Sequence, residues 1–321
     1  MLKFGDRTGL RRMSRAPCLL GLLCTAAALR HVQEPLQKRP NGPERRRCAQ
    51  LPEVVREEGK DLIVGGTIVD SGDKYPFLAW IGDKDLSGLM QFCGGTLIAP
   101  RIVLTAAHCT YTQQHKNANI YTKFRLADFK RDRGTARNVI NWKRHAFYDA
   151  DTMTNDIALL LLNESVPAEV AKPVKLSKGK GILDDEEEGE RTIVGWGTTD
   201  TQCKNYDTYL REAVVHQGSG GGVACKTPGS WSLGKKDDFD GRKELCAGDF
   251  RGFHELHASC ADSGGPLLAK HKGEWVQVGI DSWSYKPPYP EVYTRVSAYQ
   301  DWIKETSAKL KAEGHHPMFS R

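Results

Sequence analysis

The chain has 321 residues, of which 39% are hydrophobic and 27% are charged, and its length allows one large domain or two small ones. Residues 1–62 hold 13 Lys and Arg against 7 Asp and Glu, so they carry the whole formal charge of +6. The remaining residues are balanced in charge. This balance argues against a body that binds nucleic acid or an anionic membrane surface.

The first residues have the pattern of a secretory signal. Arg11, Arg12 and Arg15 precede the apolar run APCLLGLLCTAAAL, which is too short to span a bilayer comfortably and has the small residues TAAA near its end. We predict a signal peptide over 1–28, with a buried apolar helix as the alternative. Residues 29–62 are rich in Pro, Arg, Gln and Glu and are expected to be extended or disordered.

From Ile63 onwards the chain alternates between short apolar runs and turn-forming clusters. The runs FLAWIG, GGTLIAPRIVLTAAH, DIALLLLN, RTIVGWG, WVQVGIDSW and EVYTRV are separated by Gly, Pro, Asp and Asn. This all-β pattern is typical of barrels or sandwiches. A helix is predicted only at the C-terminal end, where Tyr299, Ile303 and Leu310 fall on one side.

Nine cysteines are present, and six of them lie after residue 62. An even number in the body suits disulfides formed in an oxidising compartment. No CxxC pair occurs, so the sequence does not favour a zinc site.

Four short motifs point to one chemistry when they are taken together. LTAAHC contains His108, TNDIALLLL contains Asp156, TIVGWG follows at 192–197, and DSGGP contains Ser263. Each motif alone has an ordinary structural interpretation. In this order, with IVGG opening at Ile63, they make the chain resemble the chymotrypsin/trypsin family of serine proteases.

The resemblance implies a fold and a division of the chain. It implies an all-β protein of two six-stranded antiparallel β-barrels packed face to face, with a C-terminal helix and the catalytic cleft between the barrels. The protease domain would span 63–308, after a propeptide or activation segment over 29–62. Residues 309–321 would form a C-terminal tail.

The resemblance also implies the catalytic roles. Ser263 would be the nucleophile, His108 the general base and acid, and Asp156 the residue that orients the imidazole. The backbone N–H groups of Ala261 and Ser263 would form the oxyanion hole. His145, in KRHAFYD, falls where the family has a surface turn and is not expected to be the base.

One departure from the family affects the oxyanion turn. CADSGGP has a single residue between Cys260 and Asp262 where the family has two, so Ala261 replaces a glycine. An alanine in a left-handed conformation costs on the order of 1 kcal/mol. We expect a serine endopeptidase that works through an acyl-enzyme and is slow in turnover. The rival interpretation is an inactive homologue that binds proteins in the same cleft.

The resemblance implies activation of a zymogen by cleavage before Ile63. The new α-ammonium would turn inward and pair with Asp262, which precedes the serine. Leu62 stands before the cleavage point, whereas the family is more often cut after Arg or Lys. We favour an activator that prefers Leu; the alternative is cleavage after Lys60 followed by trimming.

Two cysteine pairs match bridges of the family, and a third pair does not. In the family, the cysteine at the position of Cys260 pairs with a cysteine in the loop after SWG, but the corresponding stretch here, SWSYKPPYPEVY, has none. We therefore predict a non-standard bridge between Cys260 and Cys203, with two free thiols as the alternative. The expected pairs are Cys93–Cys109, Cys225–Cys246 and Cys203–Cys260.

The substrate pocket implied by the resemblance is unusual. Ala258 stands at the floor position, where an aspartate would select Lys or Arg; counting back from Ser263 without the gap places His257 there instead, and neither is acidic. Ser282, Trp283 and Ser284 would line the pocket. Glu291 replaces a small residue on the pocket wall. Two outcomes stay open: cleavage after Lys or Arg through Glu291, or a shallow pocket for small apolar side chains.

The remaining expectations concern modification and partners. Asn163 lies in an N-glycosylation sequon, Asn-Glu-Ser. The segment KRDRGTARN is basic where an acidic calcium loop would be, so no metal or cofactor is expected. We expect a secreted, extracellular monomer that acts on protein or peptide substrates and meets protein protease inhibitors, with no nucleic acid and no membrane after signal removal.

Overall fold

The computed structural model describes residues 66–83, 90–110, 120–179, 189–198, 208–218, 239–248, 261–284 and 290–314. Most of the regular structure in these ranges is β-strand. The strands are β1 (Thr67–Ile68), β2 (Leu78–Asp83), β3 (Met90–Ala99), β4 (Ile102–Thr105), β5 (Ile120–Phe124), β6 (Thr135–Arg144), β7 (Ala158–Leu162), β8 (Lys175–Leu176), β9 (Gly189–Gly195), β10 (Arg211–Gln217), β11 (Glu244–Gly248), β12 (Pro266–His271), β13 (Glu274–Ser284) and β14 (Glu291–Arg295). Helix α1 spans Gln300–Glu313, after 3-10 turns at His108–Thr110 and Val296–Tyr299.

The first barrel contains six antiparallel strands in the order β2-β3-β4-β7-β6-β5, and the pairing of β2 with β5 closes it. Its interior is filled by large apolar side chains such as Trp80, Leu104 and Phe124, all fully buried. The run ALLLL of β7 is buried at every position, whereas β6 alternates between half-buried and exposed residues. One face of β6 therefore meets solvent, and β7 is covered on both faces.

The second barrel contains β9, β10, β11, β14, β13 and β12 in that order, and the pairing of β12 with β9 closes it. Strand β1 adds to β10, and β8 adds to β13 in a parallel direction. The prediction of two six-stranded antiparallel barrels is confirmed. The alternative of a β-sandwich, which the sequence pattern alone left open, is excluded by the two closing strand pairs.

The two barrels share a buried apolar cluster. Leu268 and Ile280 of the second barrel belong to the same cluster as the core residues of the first. A buried hydrogen bond from Thr96 Oγ1 to Gln277 Oε1, 2.6 Å long, also joins them. This shared packing fixes β3 and β4 against β12 and β13, and the candidate site lies along these strands.

Helix α1 packs on the first barrel at its C-terminal end. Ile303, Thr306 and Leu310 are its buried residues, and Lys143 of β6 pairs with Glu313 at 2.8 Å. The predicted apolar side of this helix is confirmed, because Tyr299, Ile303 and Leu310 are all buried. Within the described ranges, no helix has both the length and the apolar content that a bilayer span requires.

Candidate active site

His108 and Asp156 lie side by side at the ends of two paired strands. His108 opens the 3-10 turn after β4, and Asp156 precedes β7, which pairs with β4. His108 Nδ1 lies 2.7 Å from Asp156 Oδ2, and the backbone N–H of His108 donates to Asp156 Oδ1 at 2.8 Å. The two contacts fix the orientation of the imidazole and leave Nε2 on the far side of the ring.

Asp156 is fully buried, so its charge needs several donors. Besides His108, the hydroxyl of Ser282 donates to Asp156 Oδ2 at 2.6 Å. Thr294 Oγ1 donates to the backbone carbonyl of Asp156 at 2.8 Å. Ser282 was expected at the substrate pocket, and its side chain here supports Asp156. The role of Thr294 was missed, because nothing in EVYTRV indicates which residue its hydroxyl contacts.

Opposing effects act on the proton affinity of His108, whose side chain is 11% exposed. Burial disfavours the imidazolium and lowers the pKa of His108. The charge and hydrogen bond of Asp156, together with the charge of Asp281, act in the other direction and prevail, so the net pKa lies above its ordinary value. The site therefore favours the protonated ring more than water does.

Ser263 lies on a tight turn against the first barrel. Its side chain is buried, and its backbone carbonyl accepts the N–H of Gly94 at 2.8 Å. The same carbonyl oxygen lies 3.5 Å from Sγ of Cys109, the residue that follows His108. The structure therefore brings the Ser263 turn next to the turn that contains His108. Gly264 follows at a φ of 79°.

Ala261 adopts a φ of 75°, in the left-handed region that favours glycine. It is buried, and its carbonyl oxygen accepts a hydrogen bond of 3.0 Å from Nε2 of Gln91, which is itself buried on β3. Gln91 thus holds the alanine in a conformation that costs on the order of 1 kcal/mol. This contact was not predicted, because it joins residues 170 positions apart.

The carboxylate of Asp262 is buried against the turn that contains GWG. Its Oδ1 accepts the backbone N–H of Gly197 at 2.8 Å. A Cβ atom at Gly195 or Gly197 would collide with the carboxylate, so glycine is required at both positions. Ile63, the expected partner of Asp262 after cleavage, lies outside the described residues.

The structure contains the disulfide Cys93–Cys109, with its two Cα atoms 6.1 Å apart. Cys246 is also disulfide-bonded. The remaining predicted bridge positions, Cys203, Cys225 and Cys260, lie outside the described ranges. The sulfur atoms of Cys93 and Cys109 come within 4.8 Å of a ring nitrogen of His108. Because the sulfurs are bonded to each other, they offer no thiolate to a metal ion.

The expected pocket residues lie on the paired strands β13 and β14. Trp283 pairs with Val292 and Ser284 with Glu291, and Glu291 is only 6% exposed. Trp283 donates from its indole nitrogen to Glu244 at 3.3 Å. Ala258, at the expected pocket floor, lies outside the described part of the chain.

Two further residues were singled out in the sequence. Asn163 lies in a bend after β7, where its Oδ1 accepts the backbone N–H of Asn138 at 2.9 Å. His145 follows β6, and its ring packs on Tyr299 and Trp302 with centroids 5.5 Å apart in each case. His145 is thus held by aromatic contacts with the segment that leads into helix α1 and with α1 itself.

Comparison with known proteins assigns the family. The family model described as Trypsin matches residues 63–303. The chain is 33% identical to "Trypsin" of Phaedon cochleariae over 80% of this chain and 93% of that protein. It is 31% identical to "Trypsin-1" of Astacus astacus over 75% of this chain and 98% of that protein. It is 33% identical to "Trypsin 5G1" of Aedes aegypti over 79% of this chain and 87% of that protein. With two closed barrels and a His–Asp pair beside a DSGGP turn, the chain belongs to the trypsin family of serine proteases.

Proposed function

We propose that this chain is a secreted serine endopeptidase, made as a zymogen and acting on proteins or peptides through a covalent acyl-enzyme. The observation that carries the proposal is the contact between His108 Nδ1 and Asp156 Oδ2, 2.7 Å long, next to the turn of Ser263. An ordinary surface histidine does not need a fully buried carboxylate with additional donors to orient it.

In the proposed reaction, Ser263 Oγ attacks the carbonyl carbon of the scissile bond while its proton passes to His108 Nε2. Asp156 stabilises the imidazolium that forms and stays ionised. The imidazolium gives its proton to the leaving amine, and the acyl group stays on Ser263 Oγ. A water molecule then attacks the ester, with His108 again accepting and returning the proton, and the serine is regenerated.

The proposed oxyanion hole uses the backbone N–H groups of Ala261 and Ser263. The left-handed φ of Ala261 supports this assignment, because it is the conformation in which a glycine would stand here. Loss of one such donor typically lowers turnover by roughly 10²–10³. An alanine side chain at the turn is the observation that favours the competing function, an inactive homologue that binds proteins in the cleft.

The proposed activation step is the formation of an ion pair between the α-ammonium of Ile63 and Asp262. Burial of the Asp262 carboxylate supports it, since a charge at 5% exposure is costly without well-placed partners. Cleavage before Ile63 would create this α-ammonium, because residue 63 has no free amino group in the uncut chain. We favour an activating protease that accepts Leu62, with cleavage after Lys60 and trimming as the alternative route.

The proposed catalytic residues make a direct prediction for peptide hydrolysis. Ser263→Ala in the activated chain should abolish cleavage of a mixed peptide library, and Asp156→Asn should lower the rate by roughly 10⁴. His108→Ala should lower the rate of cleavage by several orders of magnitude. The matched control His145→Gln should cleave at close to the parental rate. Cleavage by Ser263→Ala at the parental rate would rule out this mechanism. No cleavage by the correctly activated parent would favour the inactive homologue.

A further inference from the structure

Gln91, near the start of β3, is a buried amide that contacts the proposed oxyanion turn. It is 5% exposed, and its Nε2 donates to the carbonyl oxygen of Ala261 at 3.0 Å. The same nitrogen donates to the carbonyl oxygen of Cys93 at 3.3 Å, two residues further along β3. Both of these carbonyl oxygens can only accept, so their chemistry fixes which end of the amide faces the turn.

The pairing of β2 with β3 is irregular at this position. Ile81 pairs with Cys93 and Gly82 pairs with Gln91, so Phe92 has no cross-strand partner on β2. A bulge of this kind changes the direction of neighbouring side chains, and bulges are common next to active sites. The hydrogen bond from Gln91 to the Cys93 carbonyl spans the bulge. The position of the donor is therefore set by β3 itself.

The carbonyl of Ala261 differs from the next two carbonyls of the turn. The carbonyl of Asp262 accepts the backbone N–H of Gly265 at 2.7 Å, and that of Ser263 accepts the backbone N–H of Gly94 at 2.8 Å. Such backbone bonds do not depend on the identity of the donor's side chain. The carbonyl of Ala261 instead accepts from a side chain, so this end of the turn depends on which residue β3 supplies.

Ala261 needs support because its φ of 75° lies in the left-handed region. An L-residue is several-fold less stable there than in the right-handed region, whereas glycine adopts both about equally. A neutral hydrogen bond contributes a net free energy of similar size to this penalty. One donor is therefore enough to balance the penalty, and its loss is enough to let the turn relax.

We propose that Gln91 is a positioning residue for the reaction: by binding the Ala261 carbonyl, it keeps the Ala261 N–H directed at the place where the oxyanion forms. This inference rests on the proposed peptidase function and on the assignment of Ala261 to the oxyanion hole. Because Gln91 is buried, it acts on the substrate only through Ala261. The amide on β3 offsets the missing glycine of the shortened turn, so an alanine there is compatible with an active enzyme.

The test is a double-mutant cycle in the activated chain with one peptide substrate. Gln91→Met keeps the length of the side chain but removes the donor, so kcat should fall by roughly 3–10-fold, in line with the loss of one hydrogen bond. KM should stay near the parental value, because Gln91 does not touch the substrate. Adding Ala261→Gly to Gln91→Met should restore kcat to within about twofold of the parent, since glycine needs no support at a positive φ.

Gln277→Met is the matched control. Gln277 is a buried amide at the junction of the two barrels, and its Nε2 donates to the carbonyl of Gly279 at 3.0 Å. Its replacement should change kcat by the same factor with and without Ala261→Gly. An equal effect of Gln91→Met in both backgrounds would overturn the proposal, because the amide would then only stabilise the fold. A raised KM with an unchanged kcat would overturn it as well.

A second measurement depends neither on catalysis nor on the folding of Gln91→Met. In the Ser263→Ala chain cleaved before Ile63 and labelled with ¹³C-alanine, the Cβ chemical shift of Ala261 reports its backbone conformation, and Ala261→Gly identifies the signal. We expect a left-handed value, and a value typical of negative φ would overturn the proposal.

The two measurements separate the failure of this proposal from the failure of the peptidase function. No cleavage by the parent, with an Ala261 signal that moves towards negative φ in Gln91→Met, would reject the peptidase function and keep the hold of Gln91 on the turn. Cleavage by the parent with no coupling between the two positions would reject the role of Gln91 alone.

Discussion

At His108, the balance between burial and the Asp156 charge sets the proton affinity. Burial alone would lower the pKa of His108. The Asp156 carboxylate beside the ring outweighs this effect, so the net pKa of His108 is raised. The proposed reaction needs the neutral ring, because only that form accepts the serine proton. A raised pKa therefore moves the acid limit of activity upward.

We accordingly expect the acid limb of kcat/KM on a neutral peptide to have its midpoint above pH 6.5, the ordinary value for histidine. Activity should be present above this midpoint and should be lost as the pH falls through it. NMR titration of His108 in the Ser263→Ala chain gives an independent value. A midpoint at or below 6.5 in both measurements would contradict the described electrostatics.

The sequence indicated which residues to examine, but not which contacts hold them. The resemblance placed His108 and Asp156 in one site, and the structure puts them 2.7 Å apart. The donors that support Asp156 come from β13 and β14, more than 120 residues away in the chain. Hydroxyl residues are common in strands, so nothing local distinguishes Ser282 and Thr294 from ordinary strand residues.

Among the strands, β13 and β14 decide what the proposed pocket can accept. Their pairing brings Glu291 opposite Ser284 and Asp281 opposite Tyr293. The presence of GIDSWS and YPEVYTRV was clear from the sequence. Their register includes an irregularity between Asp281 and Trp283, which is set by packing and could not be predicted from the pattern of apolar residues.

Glu291→Gly tests the contribution of β14 to specificity. If Glu291 attracts a basic side chain, the variant should lose most of its preference for Lys and Arg over Leu, measured as kcat/KM on peptides that differ only at the residue before the scissile bond. Cleavage after larger apolar residues, with no loss of a basic preference, would instead support the shallow-pocket alternative. An unchanged profile would mean that Glu291 points away from the substrate.

Across the whole molecule, apolar patterning predicted strands but not how they close. Alternation in β6 and the continuous apolar run of β7 are local properties, and the structure has both. Closure of each barrel depends on pairs that are distant in sequence, β2 with β5 and β9 with β12. Local patterns do not encode such long-range pairs, so the choice of barrels over a sandwich came from the family motifs.

The same long-range packing makes the site a property of the molecule as a whole. Strands β4 and β7 of the first barrel place His108 and Asp156, while Ser263 lies three residues before the start of β12 in the second. The hydrogen bond from Gly94 to the carbonyl of Ser263 crosses between the barrels. We therefore expect reactivity of Ser263 to require both barrels and, on the proposed activation route, a new N-terminus at Ile63.

Covalent labelling by an organophosphonate probe tests this account most directly, because the reaction needs an activated serine and a formed oxyanion hole. The full chain and the chain cleaved before Ile63 would be treated with the probe, and the modified residue would be located by peptide mass spectrometry. We predict strong labelling of Ser263 in the cleaved chain, weak labelling in the full chain and none in Ser263→Ala. A folded, correctly cleaved chain in which Ser263 stays unlabelled would contradict the claim that this protein is an active serine protease.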